Sequence, residues 1–325
     1  MTSKALARAA ITAALAVFGT SAPAQTYPSK PVRIIVPFPP GGTTDLLART
    51  LAPKLTEALG QQVIADNRPG ATGNIGASLT AKSPPDGYTL VIGQASNMAI
   101  NVTLMGKQLP YDPVKDFTPI TLVATTPNVL AIHPSMPVRT VRDLVALAKS
   151  KPGAINYATS GAGSPGHFCA ELLNKLAGIR MVHIPYKGAG PALLDVVAGH
   201  VSLYFTTMPS AQPFLPTRRL RVIAQTSAKR SPSMPDLPTV AESGFPEYDI
   251  TSWWGLLMPA GAQKDVVNRL HGDVSRILGT ADMKQRLADL GTDAVTNTPE
   301  QFDAYVKAEI AKWAKVIRDT GVKLE

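Results

Sequence analysis

The sequence predicts an α/β protein of two domains, each built on a parallel sheet. Three observations carry this. A run of strand, glycine-rich loop, helix, strand, glycine-rich loop, helix, strand occurs twice, about 120 residues apart. The chain has 325 residues, and at roughly 100–200 residues per domain that is room for two cores. Prolines and glycines fall at the ends of apolar runs, where they punctuate elements.

The first unit opens with Val32–Val36, an apolar run that predicts a buried strand. Pro37-Phe38-Pro39-Pro40-Gly41-Gly42 follows and can continue neither strand nor helix. Thr43, Thr44 and Asp45 supply N-cap chemistry for a helix with the stripe Leu46, Leu47, Leu51, Leu55 and Leu59. A strand over 62–65 ends at Asn67-Arg68-Pro69-Gly70. A short helix over 74–82 and a strand over 88–93 complete the unit. The second unit has a strand over 155–158, a glycine-rich loop over 159–166 and a helix carrying Phe168, Leu172, Leu173 and Leu176. A strand over 181–184, a loop over 187–190, a helix over 191–199 and a strand over 201–205 follow. Loops at strand C-termini in such sheets are ready to meet a ligand.

Two β-rich segments, 120–132 and 251–258, are placed to join the units. Two amphipathic helices close the chain. One carries Val266, Val267, Leu270, Val274 and Ile277. The other opens on Thr298-Pro299-Glu300-Gln301, a capping box with proline at N1, and carries Phe302, Tyr305, Val306, Ile310, Trp313 and Ile317. Both are expected to pack back on the first domain. The expected division is 1–24 as a signal peptide, 25–125 plus 251–325 as domain 1, and 126–250 as domain 2.

The first 24 residues have the form of a secretory signal. Lys4 and Arg8 precede an apolar stretch over 9–18, and Ala22-Pro23-Ala24 offers a cleavage pattern, with the cut expected after Ala24. The stretch is too short for a membrane span, which needs about 20 apolar residues. The expected location is the periplasm. The whole chain carries +9; without Lys4 and Arg8, 30 basic residues face 23 acidic ones, a net +7. The single cysteine, Cys169, excludes a disulfide scaffold and fits a small buried residue.

Several chemistries fail on spacing. Gly161-Ala162-Gly163-Ser164-Pro165-Gly166 matches G-x-G-x-x-G, but no acidic residue stands at the end of the next strand to meet a ribose. A P-loop fails because His167 and Phe168 stand where Lys and Ser or Thr are needed. A nucleophile elbow fails at Ala162. His133, His167, His183, His200 and His271 show no metal-ligand spacing, and no cofactor is implied. The cluster Arg218, Arg219 and Arg221 lacks interleaved aromatics, so no nucleic acid partner is expected. An exported hydrolase using Ser164 or Ser160 near His167 is the alternative enzyme reading, but no orienting acid can be named. What survives is an anion site. Two glycine-rich loops each present a helix N-terminus, with unpaired N–H groups and partial positive charge.

The motifs resemble those of the Bug-type extracytoplasmic solute receptors, the binding components of tripartite tricarboxylate transporters. The segment from Lys30 to Asp45 looks like the family's opening signature. Asn67-Arg68-Pro69-Gly70-Ala71-Thr72-Gly73-Asn74-Ile75-Gly76 and Ser160-Gly161-Ala162-Gly163-Ser164-Pro165-Gly166-His167 match further motifs. So do Pro84-Pro85-Asp86-Gly87-Tyr88-Thr89-Leu90, His183-Ile184-Pro185-Tyr186-Lys187-Gly188 and the run from Leu237 to Gly244. The resemblance implies a periplasmic-binding-protein (Venus flytrap) fold, two α/β domains with a cleft between them. It implies a monomer without catalysis that binds a small carboxylate and delivers it to membrane permease subunits. A sensor that presents its ligand to a signalling partner shares every one of these features. Carried over position by position, the ligand-binding residues are Phe38, Pro39, Gly41, Gly42, Thr43, Thr44 and Asp45 from the first loop. Ser160, Gly161, Ala162, Gly163, Ser164, Pro165, Gly166 and His167 come from the second, with Asn74, Ser96, Tyr186, Thr206 and Thr207 as further lining candidates. Pro39-Pro40 departs from relatives that often carry small residues there.

Overall fold

The computed structural model describes residues 27–323. The expected signal peptide and its cleavage site lie outside the described residues. The protein has the periplasmic-binding-protein fold, two α/β domains with a cleft between them.

Along the chain, β1 (Val32–Val36) leads to α1 (Thr43–Leu59), β2 (Val63–Asn67), α2 (Asn74–Ala81) and β3 (Thr89–Gln94). A π-helical turn, Ser96–Ile100, runs into α3 (Asn101–Met105) and then β4 (Phe117–Ile132). Next, α4 (Val141–Ser150) precedes β5 (Asn156–Thr159), α5 (Pro165–Ala177), β6 (Val182–Pro185), α6 (Ala189–Val197), β7 (Leu203–Thr207), the short α7 (Met208–Ala211) and β8 (Arg221–Gln225). The chain ends with β9 (Thr251–Pro259), α8 (Lys264–Gly279), α9 (Ala281–Asp289), β10 (Asp293–Ala294) and α10 (Pro299–Thr320).

The two parallel sheets expected from the sequence are fused into one mixed sheet, in the order β2-β1-β3-β9-β4-β7-β5-β6. Its two ends are parallel, as the repeated unit predicts. The middle is antiparallel because β4 and β9 run against their neighbours. From Phe117 to Pro127, β4 pairs with β9; from Asn128 to Ile132 it pairs with β7 and β8. Pro127 has no N–H to give a ladder, and it stands where β4 changes partners. Pro119 likewise sits beside a register shift.

Neighbouring tryptophans on β9 face opposite ways, as alternation along a strand requires. Trp253 packs in the large core with Phe302 and Tyr305, whereas Trp254 belongs to the core under α1. The predicted stripe of α8 is buried in that second core. The capping box at Thr298 forms as predicted. Trp313 of α10 packs on Phe168 of α5 at 5.4 Å. Glu309, buried on α10, accepts from the indole N–H groups of both Trp253 and Trp313 at 2.9 Å. α10 is thereby tied to the crossing strand β9. Cys169 is buried in the core. No helix among the described residues is long and apolar enough to cross a membrane.

Candidate ligand-binding cleft

Two strand-to-helix turns face one another across the cleft. The first joins β1 to α1, and Asp45 pins it. Its carboxylate accepts from Gly41 N–H at 3.1 Å, Asn67 Nδ2 at 2.9 Å and Arg49 Nε at 2.9 Å. Burial acts to raise the Asp45 pKa, but the hydrogen bonds from Arg49, Asn67 and Gly41 outweigh it and hold the carboxyl below its ordinary value. Gly41 has φ +84°, a conformation that suits glycine. α1 begins after Gly42, which has no side chain to cap it, so its first-turn amides are left for another acceptor.

The second turn joins β5 to α5. Gly161 N–H donates to Thr159 Oγ1 at 3.2 Å, and Gly163 N–H donates to His167 Nδ1 at 3.2 Å. The His167 ring stacks on His183 at 4.0 Å, and His183 Nε2 lies 2.7 Å from Thr159 Oγ1. Burial pushes the His167 pKa down to about 4, so at neutral pH the ring is uncharged and Nδ1 is an acceptor. Pro165 sits at the start of α5 and Ser164 makes no side-chain cap. Gly166 has a packing reason: a Cβ there would lie 2.2 Å from the Phe205 carbonyl oxygen, so only glycine lets α5 start against β7.

A narrow inner crevice of about 70 Å³ lies between the turns. Phe38, Pro39, Gly42, Thr43 and Thr44 line it from one side; Ser160, Pro165, Gly166, Thr206 and Thr207 line it from the other. At its base lie Gln94, Asn128, Ser252 and Trp254. Asn128 Nδ2 donates to Ser252 Oγ at 3.1 Å, and Trp254 Nε1 donates to Thr44 Oγ1 at 2.9 Å. None of its lining side chains carries a charge. Hydroxyls bridge it directly, for Thr43 Oγ1 lies 2.5 Å from Thr207 Oγ1 and 3.2 Å from Ser210 Oγ. A wider outer chamber of about 480 Å³ shares Phe38, Pro39, Ser160 and Gly188 with the crevice. It adds the Pro69–Gly73 turn, Gly161, Tyr186 and Lys187. Tyr186 is oriented by Asp195, whose Oδ2 accepts from its hydroxyl at 2.5 Å.

Ten of the predicted residues therefore line the inner crevice, and Gly161 and Tyr186 line the outer chamber. Gly41, Asp45, Ala162, Gly163, Ser164 and His167 line neither; Gly41, Asp45, Gly163 and His167 act by shaping the two turns. Asn74 and Ser96 also line neither. Asn74 Oδ1 accepts from Asn101 Nδ2 and Tyr111 Oη at 2.7 Å each, in a buried network behind the cleft. Sequence reasoning missed Gln94, Asn128, Ser210, Ser252 and Trp254. A usable signal existed for two: Asn128 and Ser252 are polar residues inside otherwise buried strands that join the two units.

Fold and cleft define a solute-binding receptor, in which two helix starts converge on one uncharged crevice. Residues 47–322 match the TctC family, described as the tripartite tricarboxylate transporter family receptor, and the chain belongs to that family. Protein BugT of Bordetella pertussis is 37% identical over 314 residues, covering 96% of each chain. The solved structure of Rpa4515 of R. palustris with adipate has a TM-score of 0.88 at 39% identity, covering 91% of this chain and 99% of that one. MatC (Rpa3494) of Rhodopseudomonas palustris with bound malate has a TM-score of 0.83 at 32% identity, covering 90% and 100%.

Members of this family are solute-binding receptors and not enzymes, and so is this chain. The local chemistry agrees. Ser164 Oγ is buried without a hydrogen-bond partner, and the ring nitrogen of His167 nearest the turn is occupied by the Gly163 amide. Ser164 and His167 are thus not hydrogen-bonded to each other, the contact that a nucleophile–base pair uses.

Proposed function

We propose that the protein binds a small carboxylate in the interdomain cleft, through backbone amides of the turns at Phe38–Asp45 and Ser160–His167. The class covers mono-, di- and tricarboxylates, aromatic acids included. One observation carries the reading: two helix starts without side-chain caps border one crevice whose lining has no charged side chain. A carboxylate placed there meets the uncapped first-turn amides of α1 and two converging helix dipoles; at α5 the Gly161, Gly163, Ser164 and His167 amides already have partners and Pro165 has none to give, which leaves Ala162 and Gly166 as the donors of that turn. It also meets hydroxyls, and no fixed counter-charge.

The remaining parts of the proposal follow the family. The protein is exported, cleaved after Ala24, works in the periplasm as a monomer and delivers its ligand to membrane permease subunits. A solved relative, BugD, is described as a periplasmic binding protein. The two lobes are residues 25–125 with 251–325, and 126–250. The change of pairing partner in β4 between Pro127 and Asn128 supports that division.

The test is a thermal-shift screen of the mature protein against acetate, succinate, adipate, citrate and benzoate, each beside its neutral amide, followed by calorimetry. A ligand at 100 times its Kd stabilises by about 2.7 kcal/mol, which moves the melting temperature by several degrees. At least one acid is expected to do so while its amide does not. No shift with any acid, or equal shifts with acid and amide, would overturn the proposal.

A further inference from the structure

The Pro69–Gly73 turn, which walls the outer chamber, has an uncommon backbone. Gly70, Ala71, Thr72 and Gly73 all have positive φ, at +134°, +47°, +54° and +92°. Glycine adopts such angles freely, but alanine seldom does and a β-branched threonine least of all. The surroundings enforce the conformation. Gly73 N–H donates to Gly70 O at 3.0 Å. A Cβ on Gly70 would lie 2.4 Å from Ile75 Cδ1, and one on Gly73 would lie 2.8 Å from Phe38 Cζ, so side chains fill the space beside both glycines. Strain that neighbours hold in place collects at ligand clamps and other functional sites.

The group that this turn aims is the Thr72 hydroxyl. It crosses the cleft and donates to Ala162 O at 3.4 Å, and a Cβ on Gly161 would lie 3.9 Å from it. Ala162 O belongs to the 162–163 peptide, whose N–H donates to His167 Nδ1 at 3.2 Å. That peptide is therefore held at both ends, by His167 from its own helix and by Thr72 from the opposite side of the cleft. His167 travels with the turn, whereas Thr72 meets it only when the cleft is closed. We infer that Thr72 is a positioning residue: from across the cleft it completes the second turn, and so sets how slowly a bound carboxylate leaves. The inference rests on the carboxylate reading above and adds the residue that governs release. Ala162 and Gly166, the remaining donors of the second turn, flank the peptide that Thr72 and His167 fix. Opening the cleft breaks the Thr72 bond and frees that peptide. A neutral hydrogen bond shifts an equilibrium by about two- to tenfold. A contact made only in the closed form acts on dissociation more than on association.

The test uses whichever of acetate, succinate, adipate, citrate and benzoate the mature protein binds most tightly. Stopped-flow tryptophan fluorescence, with Trp254 in the crevice lining as reporter, gives the association and dissociation rates. Thr72→Val deletes the hydroxyl at nearly constant shape and is expected to speed dissociation by about threefold or more, with association within about twofold of wild type. Thr72→Ser keeps the hydroxyl and is expected to restore slow dissociation. Thr72→Gly loses the hydroxyl but adopts the backbone freely; it is expected to release the acid as fast as Thr72→Val while the unliganded protein melts no lower than wild type. That pairing separates positioning from a merely structural role, and it keeps the test decisive should the valine variant not fold. Wild-type dissociation in Thr72→Gly or in a folded Thr72→Val, or dissociation from Thr72→Ser as fast as from these, overturns the role of Thr72 alone. If none of the five acids binds the wild type, the carboxylate reading falls and the role of Thr72 falls with it.

Discussion

Thr43 offers a way to remove a single backbone donor without breaking the fold. It is the first residue of α1, and its N–H has no intrahelical partner by position. Proline is well tolerated at that position. Gly42 before it is extended, with φ −85° and ψ 165°, which suits a residue preceding proline. The first helical bond, Leu46 N–H to Gly42 O at 3.0 Å, survives the change. Thr43→Pro also deletes the hydroxyl, so the right reference is Thr43→Val, which deletes only that. A hydrogen bond to a charged group contributes about 1.5–3 kcal/mol net, so Thr43→Pro should bind the best carboxylate about 10- to 150-fold more weakly than Thr43→Val. Calorimetry gives the two Kd values, and urea unfolding checks that the variants differ by less than about 1 kcal/mol in stability. Equal affinity of two folded variants would show that this amide is not a ligand donor and would refute the reasoning from uncapped helix starts.

Two further predictions concern the groups that hold the turns. Asp45→Ala strips the acceptor from Gly41 and Asn67, both of which shape the first turn. Allowing little for the half-exposed Arg49 partner, a loss of about 2–4 kcal/mol in unfolding free energy is expected, with at least a tenfold rise in Kd; an unchanged Kd would mean the turn does not depend on this pin. His167 predicts a pH effect. Its pKa is lowered from the ordinary 6.5 to about 4, so between those values the unfolded chain binds a proton that the folded chain refuses. Stability therefore falls as pH drops from about 6.5 to about 4, by about 3 kcal/mol in all, and the contribution is level above 6.5. His167→Gln should flatten that limb in urea titrations at successive pH values, and an identical limb would place the titrating group elsewhere.

The parts of the fold that local chemistry dictates were legible in the sequence. Val32–Val36 and the box at Thr298 depend on neighbouring residues, and they form where the pattern put them; Thr43, Thr44 and Asp45, expected to cap α1, lie inside its first turn instead, because the helix starts one residue earlier, after Gly42, and has no side-chain cap. Short strands such as β5 and β7 were found but placed one or two residues early, because apolar runs mark burial and not the ladder. The mixed centre of the sheet was not legible. Nothing in the composition of 117–132 tells that one strand serves two different partners, since that is decided by β7, β8 and β9 arriving from elsewhere in the chain. The site divides in the same way. Loop glycines announce exposed amides, so the two turns were found. Gln94, Asn128, Ser252 and Trp254 reach the crevice only because β3, β4 and β9 meet at its floor. Asn74 was misplaced for the converse reason: a polar residue in a family motif is as easily spent on Asn101 and Tyr111 as on a ligand.

The hydroxyl contacts across the cleft bear on how a ligand would drive closure. Thr43 meets Thr207 and Ser210 directly. Two neutral hydrogen bonds of this kind contribute about 1–3 kcal/mol together. Shifting a two-state equilibrium from 1:99 to 99:1 takes about 5.5 kcal/mol of differential binding, so the hydroxyls alone fall short of holding a protein closed against an open form favoured to that degree. The difference must come from contacts that exist only when both turns face the same molecule. A carboxylate resting on α1 in an open cleft already uses the amides of the first turn. Only closure brings the second turn, held by His167 and Thr159, within reach. Two charge-assisted bonds from that turn contribute about 3–6 kcal/mol, which with the hydroxyls covers the requirement. On the proposed binding mode, the second turn is where ligand binding becomes domain closure, and its geometry depends on a histidine kept neutral by burial.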